Sequence, residues 1–260
     1  MDYLRKLQKA EVEDLLWNIP EQKQCTVNVI GGNAQNFRAG MKVAEYLVGN
    51  YPIKTVNLVL PDALRSKLPP LDNLVFLSST ESGSLANGEE IVKTLNVADY
   101  NLVVGDLSKN TVTMKAVQSA CHNSVKPVLV TRDAVDLLAE EQTEQILMNE
   151  NLVLMGSVAQ LQKIFRAVYY PKMLMMSQSL VQVAEAFHKF TLSYPVAVIT
   201  LHDGQVVTTR DGEVCTVALA DTEYSALTFW NGELAAKVAA LNLYNPGSFL
   251  EATTAALLLR

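Results

Sequence analysis

Short runs of β-branched and aliphatic residues alternate with longer amphipathic stretches along most of this 260-residue chain. The runs are nearly continuous in apolar character, which is typical of strands buried on both faces of a parallel sheet. The predicted strands are 26–30, 55–60, 74–77, 101–104, 127–130, 152–154 and 196–201. The predicted helices are 37–48, 88–95, 111–122, 134–138, 141–148, 158–169 and 177–190. The alternation predicts an α/β fold with a mainly parallel central sheet and helices on both faces.

The pattern changes after residue 196, where two Asp-Gly pairs separate three short strand-like runs. Asp203-Gly204 and Asp211-Gly212 supply the positive φ angles that tight hairpin turns require. The runs 196–201, 205–209 and 213–218 therefore predict an antiparallel meander at one edge of the sheet. A long apolar helix is predicted from Glu223 to about Leu241, with Asp221 as its N-cap, and a last helix from Pro246.

Composition excludes several functional classes. Hydrophobic residues make up 49% of the chain and charged residues 18%, as expected for a well-packed globular protein. The net charge of −6 argues against nucleic acid or an anionic membrane surface as a partner. With no linker or repeat in the sequence, residues 1–260 are predicted to form a single domain.

The cysteines and the start of the chain point to a reducing compartment. Cys25, Cys121 and Cys215 are far apart and show no CxxC spacing, which predicts reduced core thiols. Residues 1–6 predict a charged amphipathic helix without the apolar segment of a signal peptide. No apolar run is long enough to span a membrane. We expect a cytoplasmic protein.

A glycine pair follows the first long predicted strand. The strand at 27–30 leads into Gly31-Gly32-Asn33 and then into a helix. Glycines at such a position let backbone amides approach an anionic ligand at the positive end of a helix. The same pair also suits an ordinary tight turn, so this motif leaves both interpretations open.

Several segments occur in the order of one family's motifs. Residues 29–33 with 38–40 resemble its VIGGS and YxGA opening, 101–105 the strand before its GPGLG loop, 127–135 its PVVLDADAL strand, 197–201 its VVLKG strand, and 231–235 the helix that begins with GTGD. The helical leader over residues 1–24, with Pro20 near its end, also resembles that family's leader. The family is that of the ADP/ATP-dependent NAD(P)H-hydrate dehydratases, which are ribokinase-like carbohydrate kinase relatives. The resemblance implies a ribokinase-like three-layer α/β/α fold, ATP or ADP as a cofactor, a nicotinamide dinucleotide as a ligand and a homo-oligomer.

The departures from this family concern the residues that carry its chemistry. Asn231 stands at the position of the catalytic aspartate and cannot accept a proton at neutral pH. Phe229 and Trp230 replace glycines where backbone must approach phosphate, and these rings could fill the cleft instead. The GPGLG loop keeps Gly105 and adds Asp106 where phosphates would lie. The segment 155–159 lacks the acid and the histidine of PHPGE, and the segment 200–204 lacks the lysine of LKG.

Three hypotheses remain open. The first is a catalytically impaired relative that keeps at most a binding cleft, made of Gly31, Gly32, Asn33, Gly105, Asp106 and Gly232, with Asn231 inactive at the catalytic position. The second is an active nucleotide-dependent hydro-lyase with a rearranged site. The third is a structural or partner-binding oligomer.

The remaining candidates favour structural roles. His122 and His188 are interpreted as helix residues without ligands, and His202 could point into a cleft. No second histidine or carboxylate accompanies His202 at metal spacing, so no metal site is predicted. The polar run 78–84 is interpreted as a surface loop, with a ligand-contacting rim as the alternative. The run Met173–Met176 is interpreted as apolar surface or core, with core packing favoured and a subunit interface as the alternative.

Overall fold

Ten strands share one sheet in the computed structural model, which describes residues 3–69 and 73–259. The strands are β1 (Leu4–Arg5), β2 (Gln24–Ile30), β3 (Ile53–Pro61), β4 (Leu74–Leu77), β5 (Tyr100–Val103), β6 (Val128–Thr131), β7 (Leu152–Met155), β8 (Ala197–His202), β9 (Gln205–Arg210) and β10 (Glu213–Ala218). Their order across the sheet is β1-β10-β9-β8-β7-β6-β5-β2-β3-β4. Every neighbouring pair is parallel except β8 with β9 and β9 with β10.

Helices cover both faces of this sheet. They are α1 (Lys9–Val12), α2 (Arg38–Asn50), α3 (Gly88–Val97), α4 (Thr111–Asn123), α5 (Thr143–Leu147), α6 (Val158–Ala167), α7 (Leu180–Ser193), α8 (Glu233–Tyr244) and α9 (Phe249–Leu258). Short 3-10 helices cover Glu13–Asn18, Asp62–Leu64, Arg132–Leu138, Leu219–Asp221 and Thr228–Trp230. No helix within 3–69 and 73–259 combines the length and apolar character needed to cross a membrane.

Alternating side chains divide the core into two layers. On β2, Val29 packs into the cluster that contains Val43 of α2 and Leu234 of α8. The next residue, Ile30, packs into the cluster that contains Ile91 of α3 and Phe187 of α7. Successive strand residues point to opposite faces, so one sheet serves two cores. The predicted α/β/α layering with an antiparallel part is confirmed.

A ladder of asparagines fixes the register of the central strands, with Asn28 and Asn101 buried and Asn57 half-buried. Asn28 on β2 lies directly opposite Asn57 on β3 and Asn101 on β5. The Asn57 side-chain amide donates to Asn28 Oδ1 at 2.9 Å, and Asn28 Nδ2 donates to Asn101 Oδ1 at 3.1 Å. A buried amide without these partners would cost stability, so a slipped register is disfavoured. The register brings the loops after β2 and β5 together.

Both Asp-Gly turns have the predicted conformation. Asp203 and Gly204 have φ angles of 47° and 67°, and Asp211 and Gly212 have 51° and 79°. Two successive positive φ values are those of a type I′ hairpin turn. The meander formed by β8, β9 and β10 is thereby confirmed.

The predicted helix over residues 1–6 is wrong for the residues described. Leu4 and Arg5 form β1, which pairs in parallel with Val214 and Cys215 of β10. An open strand edge offers unpaired backbone groups, and these outweigh a weak local helical preference. Met1 and Asp2 lie outside the described residues.

The predicted helix from Glu223 is wrong in its first ten residues, because α8 begins at Glu233. Between Ser225 and Thr228, side-chain hydroxyls bond the backbone amides of the same segment, at 2.8 and 3.1 Å. Serine and threonine compete in this way with helical hydrogen bonds. Asp221 lies in a 3-10 turn and does not cap α8. The last helix begins at Phe249, three residues after Pro246.

The methionine run is only partly core. Leu174 is fully buried, whereas Met173, Met175 and Met176 are exposed. The core interpretation is therefore wrong for the three methionines. The cysteines fit their prediction more closely, since Cys121 and Cys215 are buried and Cys25 is half-buried.

Candidate functional site at the strand ends

The predicted glycine loops meet at the carboxyl ends of β2 and β5. These strands are parallel neighbours, so the residues that follow them lie side by side. Gly32 N donates to Gly105 O at 3.0 Å, and Asn33 Nδ2 donates to Asp106 O at 2.7 Å. The carboxyl edge of an open parallel sheet is the usual ligand position in such folds. The structure thus brings four predicted residues together.

Glycine is required here by close backbone packing. A Cβ atom on Gly31 would lie 2.5 Å from Gly105 O, and Gly105 itself has a φ of +88°. A Cβ on Gly105 would also collide with the Asp133 carboxylate. Because glycine has no side chain, the loop after β2 can contact the loop after β5. This packing is a sufficient reason for glycine at both positions.

Asp106 directs its carboxylate at the start of α2. Its side chain is 8% exposed, and Oδ2 accepts a hydrogen bond from Ala39 N at 3.1 Å. The backbone amide of Asp106 donates to Asp133 Oδ1 at 3.0 Å, which holds the loop in place. A helix start carries unpaired amides and a partial positive charge that favour an anion. Here the anion is a carboxylate of the same chain.

Arg132 lies beside Asp106 and was not among the residues predicted from the sequence. Its Nη2 lies 3.4 Å from Asp106 Oδ1, and its Nη1 lies 3.4 Å from the carbonyl oxygen of Trp230. Both contacts are long, and Nε is buried without a hydrogen-bond partner in the described part of the chain. Because both contacts are long and the side chain is 31% exposed, the two Nη groups keep donor capacity for an anionic ligand. The signal that could have found it is its position, directly after Thr131 at the carboxyl end of β6.

Asn231 bonds the first residue of the helix that follows it, whose N-cap is Gly232. Its side-chain oxygen accepts a hydrogen bond from Glu233 N at 2.9 Å. Gly232 has a φ of +100°, and a Cβ there would lie 2.8 Å from the Val43 side chain. The start of α8 is thus held against α2 and lies near Arg132 through the Trp230 carbonyl. The Asn231 side chain satisfies a backbone amide, but an amide group is not a base at neutral pH.

The two aromatic residues before Asn231 have different surroundings. Phe229 is fully buried in the core that contains α2 and α8, whereas Trp230 is half-buried. Their rings meet edge to face with centroids 4.5 Å apart. Phe229 is therefore a core residue, which corrects the expectation that both rings fill a cleft.

The serine-rich loop 78–84 folds onto the strand-end loops. Gly83 O accepts from Ala34 N at 2.8 Å, and Ser84 Oγ accepts from Ser108 N at 3.1 Å. At the base of the loop, Ser78 donates to the Glu90 carboxylate from both its amide and its hydroxyl, each at 2.8 Å. These bonds lower the pKa of Glu90. The loop is therefore bonded to the loops that follow β2 and β5 as well as to α3.

All three histidines bond a backbone carbonyl. His202 is buried and its Nε2 lies 2.7 Å from Gln178 O, which corrects the expectation that it could face a cleft. His122 Nδ1 lies 3.1 Å from Gln145 O. His188 bonds Gly212 O and stacks on the Tyr3 ring. These contacts give each imidazole a structural role.

Comparison with solved structures identifies the fold. A ribokinase-like superfamily protein of Enterococcus faecalis has a TM-score of 0.66 and 14% identity, over 100% of this chain and 86% of that one. A hypothetical protein of Streptococcus mutans has a TM-score of 0.65 and 13% identity, over 97% and 87%. The pyridoxal kinase of Bacillus subtilis, solved as an ADP complex, has a TM-score of 0.50 and 14% identity, over 91% and 89%.

Comparisons by sequence, in contrast, found no match. No protein-family model matches the chain, and no curated protein matches it. The resemblance to the hydrate dehydratases therefore stays a prediction. The predicted ribokinase-like fold is confirmed. The chain has the ribokinase-like fold.

Proposed function

We propose that this chain is a ribokinase-like binding protein that no longer transfers phosphoryl groups, and a catalytically impaired relative of the NAD(P)H-hydrate dehydratases. The observation that carries the proposal is the state of Asn231, whose side-chain oxygen is occupied by the hydrogen bond from Glu233 N. Without a base at this helix start, proton removal in the transition state has no acceptor there.

The contacts of Asp106, an acidic residue at the strand ends, support the same view. One carboxylate oxygen of Asp106 bonds the start of α2 and the other faces Arg132. With its side chain only 8% exposed, Asp106 is held in a structural position. Moving it to serve as a base would leave a helix start and a guanidinium without their anion.

Arg132 is the residue through which a ligand would be held. Its contacts are long, and its side chain is 31% exposed. A guanidinium in this state favours a phosphate or carboxylate group. The proposed ligand is therefore an adenine nucleotide or a nicotinamide dinucleotide, bound without turnover.

The test combines binding with turnover. Thermal unfolding is measured with ATP, ADP, NADH and NADPH, and dehydration of hydrated NADH is followed at about 340 nm, the absorbance of the reduced nicotinamide. We expect a higher melting temperature with at least one nucleotide and no turnover. Arg132→Gln should abolish the shift, whereas Arg166→Gln, an exposed arginine on α6, should leave it unchanged. Turnover by the natural chain would contradict the proposal.

A single substitution tests the impairment directly. Asn231→Asp restores a carboxylate at the helix start, so a gain of nucleotide-dependent dehydration would support an eroded site. Absence of both nucleotide binding and gained turnover would reject the binding function.

The exposed methionines favour a second candidate, a partner-binding oligomer. Met173, Met175 and Met176 place flexible apolar side chains on the surface of one segment. Light scattering of the natural chain and of Met176→Glu tests this candidate. A homo-oligomer that dissociates on substitution would support it, and a monomer in both cases would reject it.

A further inference from the structure

A groove of about 850 Å³ lies between α2 and α8. Its walls come from the end of α2 with Tyr51, from α8, from the segment that precedes α8 and from the N-terminal leader. The lining residues include Leu16, Tyr46, Tyr51, Tyr224, Lys237 and Leu241. Gly31, Asp106 and Arg132 do not line it. The volume falls within the range of small-molecule sites, roughly 300–1,000 Å³.

Three tyrosines give the groove aromatic walls. The rings of Tyr46 and Tyr51 lie 6.4 Å apart at 53°. The ring of Tyr224 already faces a cation, since Lys237 Nζ lies 5.9 Å from its centroid. Burial raises the pKa of all three phenols, so the rings stay neutral at physiological pH. Neutral aromatic faces attract cations through their quadrupole.

The lysine in the groove has its charge compensated by the chain itself. Lys237 is 5% exposed, and its Nζ lies 3.1 Å from Glu223 Oε1 and 2.5 Å from Leu259 O. A buried ammonium held in this way has little attraction left for an anionic ligand. Lys237 and Glu223 therefore count as a neutral pair.

Glu233 carries a negative charge that the Lys237–Glu223 pair in the groove does not balance. Its carboxylate forms no hydrogen bond or ion pair with the part of the chain that the structure describes, although it acts electrostatically on Tyr46 and Tyr224. With Lys237 and Glu223 paired, the groove carries one excess negative charge. A carboxylate beside aromatic faces matches a cation in both charge and shape.

We propose that this groove binds a small organic cation. An ammonium or guanidinium head group would lie between Glu233 and the tyrosine rings, and an apolar or aromatic body would pack against Leu16 and Leu241. A first-turn glutamate also stabilises its own helix through the helix dipole. A test of cation binding distinguishes a ligand-binding role of Glu233 from this stabilising role, because the interaction with the helix dipole needs no ligand.

The test titrates ¹⁵N-labelled protein with phenethylamine, which is cationic at pH 7, and with 2-phenylethanol, its neutral counterpart. We expect saturable shifts at the amides of α2, α8 and residues 223–228 with the amine, and at least about tenfold weaker binding of the alcohol. Glu233→Gln should weaken amine binding about fivefold, the equivalent of roughly 1 kcal/mol.

Matched variants complete the test. Glu89→Gln removes a first-turn glutamate of α3 whose side chain has no bonding partner within 3–69 and 73–259, and it should leave amine binding unchanged. Tyr224→Phe keeps the ring and should retain binding within twofold, whereas Tyr46→Leu should weaken it.

Three results would overturn the proposal: equal affinity for amine and alcohol, unsaturable shifts, or unchanged binding in Glu233→Gln. Arg132→Gln should leave amine binding intact, so this result is independent of the nucleotide test.

Discussion

The strand-end cleft and the groove between α2 and α8 differ in whether their charged and polar side chains are bonded within the chain. At the strand ends, Asp106, Arg132 and Asn231 bond one another or nearby backbone groups. In the groove, Lys237 is paired within the chain, whereas Glu233 has no such partner among the described residues. The cleft occupies the place where ligands bind in related folds, yet much of its bonding capacity is used internally. Position alone therefore does not identify a working site.

The largest effect should come from Gly105→Ala. The substitution forces a side chain into a φ of +88° and against the Asp133 carboxylate, so we expect a loss of about 3 kcal/mol or more in the free energy of unfolding. Gly204→Ala is the matched control, since its φ is +67° but a Cβ there has open space, and it should cost about 1 kcal/mol. Equal losses in urea denaturation would show that the loops at the strand ends are not closely packed.

Asp106→Asn should give the next largest effect. It keeps the shape of the side chain but removes the charge at the start of α2 and beside Arg132. Charge-assisted hydrogen bonds of this kind contribute about 1–3 kcal/mol, so we expect a loss of about 2 kcal/mol on urea denaturation. A loss below about 0.5 kcal/mol would mean that the carboxylate is free, which would reopen its use as a base.

Local pattern was sufficient to predict the layers and the meander. Strand and helix periods differ, and Asp-Gly has few conformational alternatives, so these features needed no long-range information. The same reasoning failed at residues 4–5 and 223–232. There, a free sheet edge and side-chain hydroxyls compete with the helix, and neither leaves a periodic signal.

The site was predictable only in part. Gly31 and Gly105 stand after buried strands, so their meeting followed from the parallel order. Arg132 was missed because its role depends on the distant Asp106 and Trp230, 26 and 98 residues away. The groove was missed for the same reason, because α2 and α8 are far apart in sequence and no local pattern reveals that they lie close together.

Glu90→Gln should have a moderate, pH-dependent effect on stability, through the base of the loop 78–84. Bonds from Ser78 lower the pKa of Glu90 from its ordinary value of 4.5. The ionised form therefore stabilises the fold above about pH 4.5, and this contribution is lost as the pH falls through the lowered pKa of the folded state. We expect a loss of about 1 kcal/mol at pH 7 that shrinks in acid. A loss independent of pH, measured by urea denaturation at several pH values, would contradict this.

The smallest effect on stability should come from Glu233→Gln, a substitution in the groove between α2 and α8. The Glu233 side chain has no bonding partner in the described part of the chain, and the bond that Glu233 N makes to Asn231 survives the change. Only the interaction with the helix dipole is lost, so the free energy of unfolding should fall by less than about 0.5 kcal/mol. Asp106→Asn, measured in the same denaturant series, should cost several times more. A comparable loss for both would mean that the Glu233 carboxylate stabilises the fold as much as that of Asp106 does, and the groove would then have no spare charge for a ligand.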